Sequence, residues 1–291
     1  MDSMKLLSFS RGERRAYGVV VGQGVVDLAA RHSERWPTLS AVIRAGAVDQ
    51  LRDLASGLSC DFPLEEVCFL PPVLDPGRII CVGLNYRSHI EETGRQIPSY
   101  PTLFTRFPDS HVAHGEAIIR PSVSEQHDFE GELAVIIGRS GRYIPAAHAL
   151  QHVAGYSCYN DGSIRDFQAH TSQFTSGKNF WRSGAFGPWM VTTDEIPDPG
   201  QLRLETRLNG RIMQSAPTSD LMFDVPALVE YISTVFPLHP ADVISTGTTG
   251  GVGKARKPPV FMRAGDRIEV ELSSIGTLSN MVEDEPARPQ L

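Results

Sequence analysis

The chain has 291 residues, enough to bury a sizeable core as one large domain or as a large domain with a small one. Hydrophobic residues make up 41% and charged residues 21%, as in ordinary soluble globular enzymes, and no apolar run approaches the roughly 20 residues of a transmembrane helix. The net charge of −7 argues against nucleic acid or an anionic membrane as a partner.

The cysteines and the first residues predict a cytoplasmic protein. Cys60, Cys68, Cys81 and Cys158 form no Cys-X-X-Cys pair and no zinc-type spacing. The first residues show neither the apolar segment nor the cleavage site of a secretion signal, so we expect reduced thiols. Met4 is a second candidate start, because the first predicted strand begins there.

A small N-terminal α/β domain is predicted over residues 1–72. Apolar residues at three- to four-residue spacing predict a helix over 38–58. Prolines at 71, 72 and 76 punctuate the chain, so we expect a catalytic domain over 73–285 and a frayed tail over 286–291. Short apolar runs bounded by turn residues predict N-terminal strands at 6–9, 15–21 and 25–28.

The most informative stretch is 127–138, an apolar run preceded by acidic residues. Side chains of a strand alternate faces, so Asp128, Glu130 and Glu132 are predicted to project from one face. Carboxylates that close repel unless a cation neutralises them, and a cluster of oxygen ligands suits Mg²⁺, Ca²⁺ or Mn²⁺. The alternative is an edge strand whose acidic face meets water.

A second candidate group follows the predicted strand at 79–84. Asn85 or Ser88 is the predicted N-cap of a short helix on which His89 and Glu92 share a face. A carboxylate beside an imidazole fixes its tautomer and raises its basicity, which makes a general base for activating water. The alternative is an ordinary surface pair.

Polar residues further along the chain could complete a site. Asp161 ends a short predicted strand and is a candidate oxygen ligand, while Arg165 and Gln168 share a face if a helix begins near Ser163. The planar fork of an arginine matches a substrate carboxylate. The alternative is an aspartate N-cap before an ordinary amphipathic helix.

Two more cations and a glycine-rich loop remain. Arg106 is the one cation of the strand-like run at 101–107, and Lys178 can neutralise developing negative charge or can be a solvated loop residue. The loop at 245–253 matches neither a P-loop nor a dinucleotide fingerprint. Its backbone amides and the hydroxyls of Thr248 and Thr249 suit a carboxylate or keto-acid oxygen.

Together these motifs resemble the fumarylacetoacetate hydrolase family, in family order and over roughly residues 75–285. The matching stretches are Val82-Gly83-Leu84-Asn85-Tyr86 with His89 and Glu92, Asp128-Phe129-Glu130-Gly131-Glu132-Leu133, Asn160-Asp161 with Arg165-Asp166 and Gln168, Gly177-Lys178-Asn179-Phe180 leading to Gly187-Pro188-Trp189, and Ser245-Thr246-Gly247-Thr248 with Gly251-Val252-Gly253.

The resemblance implies a mostly β, α+β fold, a mixed β-sandwich roll that is usually a homodimer and binds Mg²⁺ or Mn²⁺. The implied metal ligands are Glu130, Glu132 and Asp161, which leaves Asp128 a supporting place. The implied catalytic residues are His89 and Glu92, a water-activating dyad on a segment that orders as a lid in many members, with Lys178. The expected substrate-binding residues are Arg106, Arg165, Gln168, Gly247 and Thr248.

Two positions depart from the family pattern. Arg106 stands where a lysine is common, and Thr249 stands where a proline is common. Neither residue is an implied metal ligand, so the departures bear on the substrate.

The function implied is metal-dependent hydrolysis of a carbon–carbon bond in an acylpyruvate such as fumarylpyruvate or maleylpyruvate, as in aromatic catabolism. Water activated by His89 and Glu92 would attack the distal carbonyl, and a metal-stabilised pyruvate enolate would leave. The close alternatives are oxaloacetate decarboxylation and isomerisation or hydration of an unsaturated 2-keto acid. A non-catalytic keto-acid-binding protein is the alternative from another class.

Overall fold

One large mixed sheet runs through the molecule and joins the N-terminal strands to strands from the middle of the chain and to the strand Val243–Thr248. The computed structural model describes residues 4–94 and 96–286. The strands are β1 (Lys5–Arg11), β2 (Arg14–Val21), β3 (Gly24–Asp27), β4 (Phe62–Pro63), β5 (Cys68–Leu70), β6 (Ile79–Gly83), β7 (Thr102–Thr105), β8 (His111–Val112), β9 (Ile118–Arg120), β10 (His127–Asp128), β11 (Gly131–Ile137), β12 (Val153–Asn160), β13 (Ser163–Ile164), β14 (Gly184–Thr192), β15 (Arg203–Leu208), β16 (Arg211–Pro217), β17 (Val243–Thr248), β18 (Arg267–Leu272) and β19 (Gly276–Asp284). The α-helices are α1 (Ala29–His32), α2 (Leu39–Arg44), α3 (Val48–Ala55), α4 (Arg87–Thr93), α5 (Arg165–Gln168), α6 (Thr175–Lys178) and α7 (Val225–Val235).

The strands form two larger sheets and one small one. The large sheet has the order β4-β3-β2-β1-β14-β12-β11-β17-β6-β7, with β5 on β1 and β8 on β14. The second sheet has the order β16-β15-β18-β19-β9, and β10 pairs only with β13. The mostly β, mixed-sheet fold expected from the resemblance is therefore confirmed.

Strand β11 lies at the centre and is buried on both faces. Leu133 and Val135 belong to the apolar core shared with the second sheet. Ala134 and Ile136, which point the other way, belong to the core shared with the N-terminal strands and helices. Because both faces are covered by apolar residues, β11 is a fixed base for the acidic residue at its start, Glu132.

The N-terminal unit joins this sheet directly. Strand β1 pairs antiparallel with β14, and Leu6 stands opposite Met190. The predicted N-terminal strands correspond to β1, β2 and β3, while the domain division at residue 72 stays a prediction. The cysteines are free thiols, as expected.

The helical structure predicted over 38–58 is confirmed, but the segment is divided into two helices, α2 and α3. Gly46 has a φ of +62°, and its amide donates a hydrogen bond to the carbonyl of Ile43. A left-handed glycine at this place ends a helix, and apolar spacing alone does not reveal it. Among the described residues, none of the helices has the length and apolarity that crossing a membrane requires.

Candidate active site

Three carboxylates meet where β11 and β12 pair. Gly131 stands opposite Asn160, which brings the residues on either side of this pair together. The backbone amide of Asp161 donates a 2.8 Å hydrogen bond to the carbonyl of Glu130. Glu130, Glu132 and Asp161 each offer an oxygen within 4.8 Å of the others, and all three side chains are buried. This is the trio that the resemblance implied as metal ligands.

Two of the three carboxylates are paired with cations. Lys178 Nζ lies 2.5 Å from both Glu130 Oε2 and Asp161 Oδ2, and Arg165 donates to Glu130 Oε1 at 2.6 Å. Burial pushes the pKa of Glu130 upward, but Arg165 and Lys178 outweigh it and hold that pKa at about 2. Burial lowers the pKa of Lys178, but the charges of Asp161 and Glu130 raise it by more. The net pKa is therefore raised, and the ammonium keeps its proton.

Glu132 differs, because in the described part of the chain no cation pairs with it. Its Oε2 accepts hydrogen bonds from Ser245 Oγ at 2.5 Å and from the Gly247 amide at 2.8 Å. Burial, together with the charges of Asp161 and Glu130, raises the pKa of Glu132 well above its ordinary value. A buried carboxylate without a cationic partner beside two others fits a hard divalent cation such as Mg²⁺ or Mn²⁺.

Asp128 does not share the face of the other acidic residues, contrary to the period-two prediction. It belongs to β10, and the chain leaves strand geometry before β11 begins at Gly131. Its side chain is buried and accepts hydrogen bonds from Arg165 Nε at 2.8 Å, the Gly253 amide at 2.8 Å and the Lys254 amide at 2.9 Å. Asp128 therefore holds Arg165 and the glycine-rich loop in place.

The histidine and glutamate lie on α4, as predicted. His89 Nδ1 is 3.4 Å from Glu92 Oε1, and Glu92 Oε2 accepts a 2.6 Å hydrogen bond from the Gly251 amide. Glu92 thus links the dyad to the glycine-rich loop.

The predicted side-chain cap of α4 is wrong. The residue before the helix is Tyr86, without a capping side-chain bond. Asn85 instead donates to the carbonyls of Phe223 and Thr246. Ser88 lies inside the helix and donates to Asp220 at 2.8 Å.

The acidic trio and α4 line one cavity of about 840 Å³. A cavity of this volume has the size of a small-molecule site. The predicted site residues that line it are His89, Glu92, Glu130, Glu132, Asp161, Arg165, Gln168, Lys178 and Thr248.

Two residues expected to bind substrate do not line this cavity. The Arg106 guanidinium is fully buried and donates to Asp161 Oδ1 at 2.7 Å, to the Gly162 carbonyl at 2.9 Å and to the Ser183 hydroxyl at 2.9 Å. It therefore supports Asp161 from behind. The Gly247 amide is occupied by Glu132. Both expectations assumed that a polar group close to site residues in the sequence also faces the substrate.

One lining cation and one supporting residue of the site were not predicted from the sequence. Lys254, directly after the glycine-rich loop, lines the cavity. Asp220 is 132 residues away from Ser88 along the chain, so no local pattern signals their contact. Thr249 does not line the cavity, and its hydroxyl lies 3.2 Å from that of Ser88.

The chain is similar to proteins named as oxaloacetate tautomerases. It is 38% identical over 266 residues to the Bos taurus protein named mitochondrial oxaloacetate tautomerase FAHD2A, across 90% of this chain and 84% of that protein. It is 35% identical over 286 residues to oxaloacetate tautomerase YisK of Bacillus subtilis (strain 168), across 97% of this chain and 94% of that protein.

A solved structure and a family model agree with this. The structure of maleylpyruvate hydrolase from Sphingobium sp. SYK-6, in complex with manganese(II) ion and pyruvate, superposes with a TM-score of 0.80 at 28% identity, covering 97% of this chain and 99% of that chain. The family model described as fumarylacetoacetate (FAA) hydrolase C-terminal matches residues 78–283. The chain therefore belongs to the fumarylacetoacetate hydrolase family.

Proposed function

We propose that this protein is a metal-dependent enzyme that interconverts the enol and keto forms of a 2-oxo acid, with oxaloacetate as the best-supported substrate. The observation that carries the proposal is the cavity itself, which has a buried trio of carboxylates on one wall and a histidine paired with a glutamate on the other. The two relatives named as oxaloacetate tautomerases support the choice of reaction.

Glu130, Glu132 and Asp161 would hold the metal. When bound, Mg²⁺ or Mn²⁺ supplies Lewis-acid polarisation of a 2-oxo group, which makes the neighbouring C–H bond more acidic. Arg165 presents a guanidinium on the same wall, suited to the 1-carboxylate of the substrate. Lys178 supplies a protonated amine beside the carboxylates, where it offsets negative charge on the 2-oxygen.

His89 is the proposed proton-transfer group. Its Nδ1 faces Glu92, which leaves Nε2 for the substrate. In the keto-forming direction Nε2 would give a proton to carbon 3 while the enol hydroxyl proton is lost to solvent; in reverse, Nε2 would take a proton from carbon 3 and the 2-oxygen would gain one from solvent. Glu92 holds the tautomer that makes this transfer reversible. Because His89 is only 7% exposed, bulk water competes little for the ring nitrogen.

A second candidate reaction is hydrolysis of an acylpyruvate, the function first expected from the sequence. Two observations favour it: the cavity of about 840 Å³ holds far more than a four-carbon acid, and the manganese-bound solved structure is a maleylpyruvate hydrolase. In this reaction His89 would take a proton from water rather than exchange one with carbon 3. Decarboxylation of oxaloacetate needs the same bound 2-oxo acid.

Product analysis separates these reactions. The protein, loaded in turn with Mg²⁺ and Mn²⁺, is given enol-oxaloacetate, maleylpyruvate and fumarylpyruvate. Faster loss of enol absorbance with oxaloacetate as product supports tautomerisation. Two acids from the acylpyruvates would identify the hydrolase, release of CO₂ a decarboxylase, and no turnover would refute the proposal. The expected homodimer stays a prediction, which light scattering tests.

A further inference from the structure

The cavity wall carries three permanent cations in the part of the chain that the structure describes: Arg165, Lys178 and Lys254. Arg165 and Lys178 are each paired with two carboxylates of the site. Lys254 forms no ion pair with any described residue, and it is exposed. Of these three, it is the cation without a carboxylate partner among the described residues.

The position of Lys254 is fixed by its backbone. Its amide donates to Asp128 Oδ2, the same oxygen that accepts from Arg165 Nε. One buried carboxylate therefore holds both the arginine at the acidic trio and the backbone of the lysine. The Lys254 side chain is free to move, but its point of attachment beside Arg165 is not.

A bound 2-oxo acid places its first carboxylate and its oxo group at the acidic trio. Any further substituent must extend away from the trio into the cavity, whose wall includes Lys254. An ammonium on a flexible four-carbon stem suits a terminal carboxylate there, because it acts as a point charge and requires no fixed orientation. The neighbouring lining residues Val252 and Ala255 offer no competing charge.

We infer that Lys254 binds the distal carboxylate of a 2-oxo dicarboxylate and so makes the enzyme prefer dicarboxylates to 2-oxo monocarboxylates. The inference rests on the proposed function for the location of the first carboxylate. It assigns the substrate class through a residue outside the metal ligands and outside the dyad.

The test compares Lys254→Met with Lys257→Met. Methionine keeps an unbranched stem and the backbone amide that binds Asp128, so the loop anchor is retained. Lys257 is an exposed lysine three residues away that does not line the cavity, so its variant is the matched control.

The first readout is binding to the Mn²⁺-loaded protein, measured by calorimetry with two ligands. These are 2-oxoglutarate and 2-oxovalerate, which differ by a terminal carboxylate in place of a methyl group. We expect Lys254→Met to weaken 2-oxoglutarate binding about fivefold, as for a partly exposed ion pair, and to leave 2-oxovalerate within twofold. Lys257→Met should change neither affinity.

The second readout is the KM for enol-oxaloacetate, which should rise in Lys254→Met with little change in kcat. An equal loss for both binding ligands would indicate a merely structural role and would overturn the inference, as would a wild-type protein with no preference for the dicarboxylate. If the preference depends on Lys254 but oxaloacetate is not tautomerised, the proposed reaction fails and the inference stands.

Discussion

The two walls of the cavity are built in opposite ways. The acidic wall lies where β11 and β12 pair. Glu132 is on β11, Glu130 directly precedes it and Asp161 directly follows β12, and each is at most 5% exposed and held by several donors. The opposite wall is the seven-residue helix α4, on which His89 and Glu92 are joined by one 3.4 Å contact. The carboxylates that would hold a metal are held by several hydrogen-bond donors, whereas the histidine that would move a proton has few side-chain contacts.

This contrast has a physical reason. Three buried carboxylates repel one another, so fixed donors or a bound cation are needed to hold them at such short distances. A general base instead has to exchange protons, and its carboxylate partner only has to keep the ring oriented. The two walls should therefore respond differently to substitution.

The largest effect is expected from Glu130→Ala. It removes a proposed ligand and leaves Arg165 and Lys178 each with one carboxylate fewer, which should cost about 3–5 kcal/mol of unfolding free energy. Calorimetry with Mg²⁺ or Mn²⁺ should detect no binding, and urea titration should show the lost stability. Metal affinity at the wild-type level would refute the ligand assignment.

His89→Ala should act on chemistry alone. We expect turnover to fall by about 10²–10⁴-fold, the usual contribution of a positioned acid–base group, with the Mn²⁺ affinity unchanged within twofold. Stopped-flow loss of enol absorbance and metal calorimetry give the two values. A variant that keeps full turnover would remove the dyad from the mechanism, and one that loses the metal would show that the two walls are not independent.

Glu132→Gln tests how the carboxylate without a cationic partner differs from the other two of the acidic wall. Glutamine can still accept the bonds from Ser245 and Gly247, but it removes the one carboxylate of the trio without a cation. We expect Mn²⁺ affinity to fall about 100-fold, or about 2.7 kcal/mol. The unfolding free energy of the chelator-treated protein should not decrease, because glutamine replaces a carboxyl group whose charged form is disfavoured by burial and by Asp161 and Glu130. A clear loss of that stability would contradict this account.

The smallest effect is expected from Ser88→Ala. It removes the 2.8 Å hydrogen bond to Asp220 that ties α4 to the chain after β16. The loss should be about 1 kcal/mol of stability, with a severalfold decrease in turnover and unchanged metal affinity. Thr193→Val, an exchange of hydroxyl for methyl at a residue that does not line the cavity, serves as the control. Changed metal affinity in Ser88→Ala would show that the helix also supports the acidic wall.

Sequence patterns predicted the elements better than their contacts. The apolar run of β11 and the residue types of the trio were visible, because alternation and ligand chemistry are local properties. The burial of Arg106 was not visible, because it depends on Asp161 and Ser183, which other strands bring to it. The orientation of Asp128 was also not predictable, because the polar–apolar pattern of the sequence does not indicate the break between β10 and β11.

The pairing of β1 with β14 has a consequence for synthesis. Leu6 is translated roughly 180 residues before its partner Met190, which at about 5–20 residues per second is on the order of ten to forty seconds. Until then β1 has β2 and β5 as neighbours. The apolar residues of the N-terminal unit that pack against β14 in the folded protein have no partner there yet. The nascent chain thus carries an unfinished sheet edge for most of its time on the ribosome, when chaperones would be of most use.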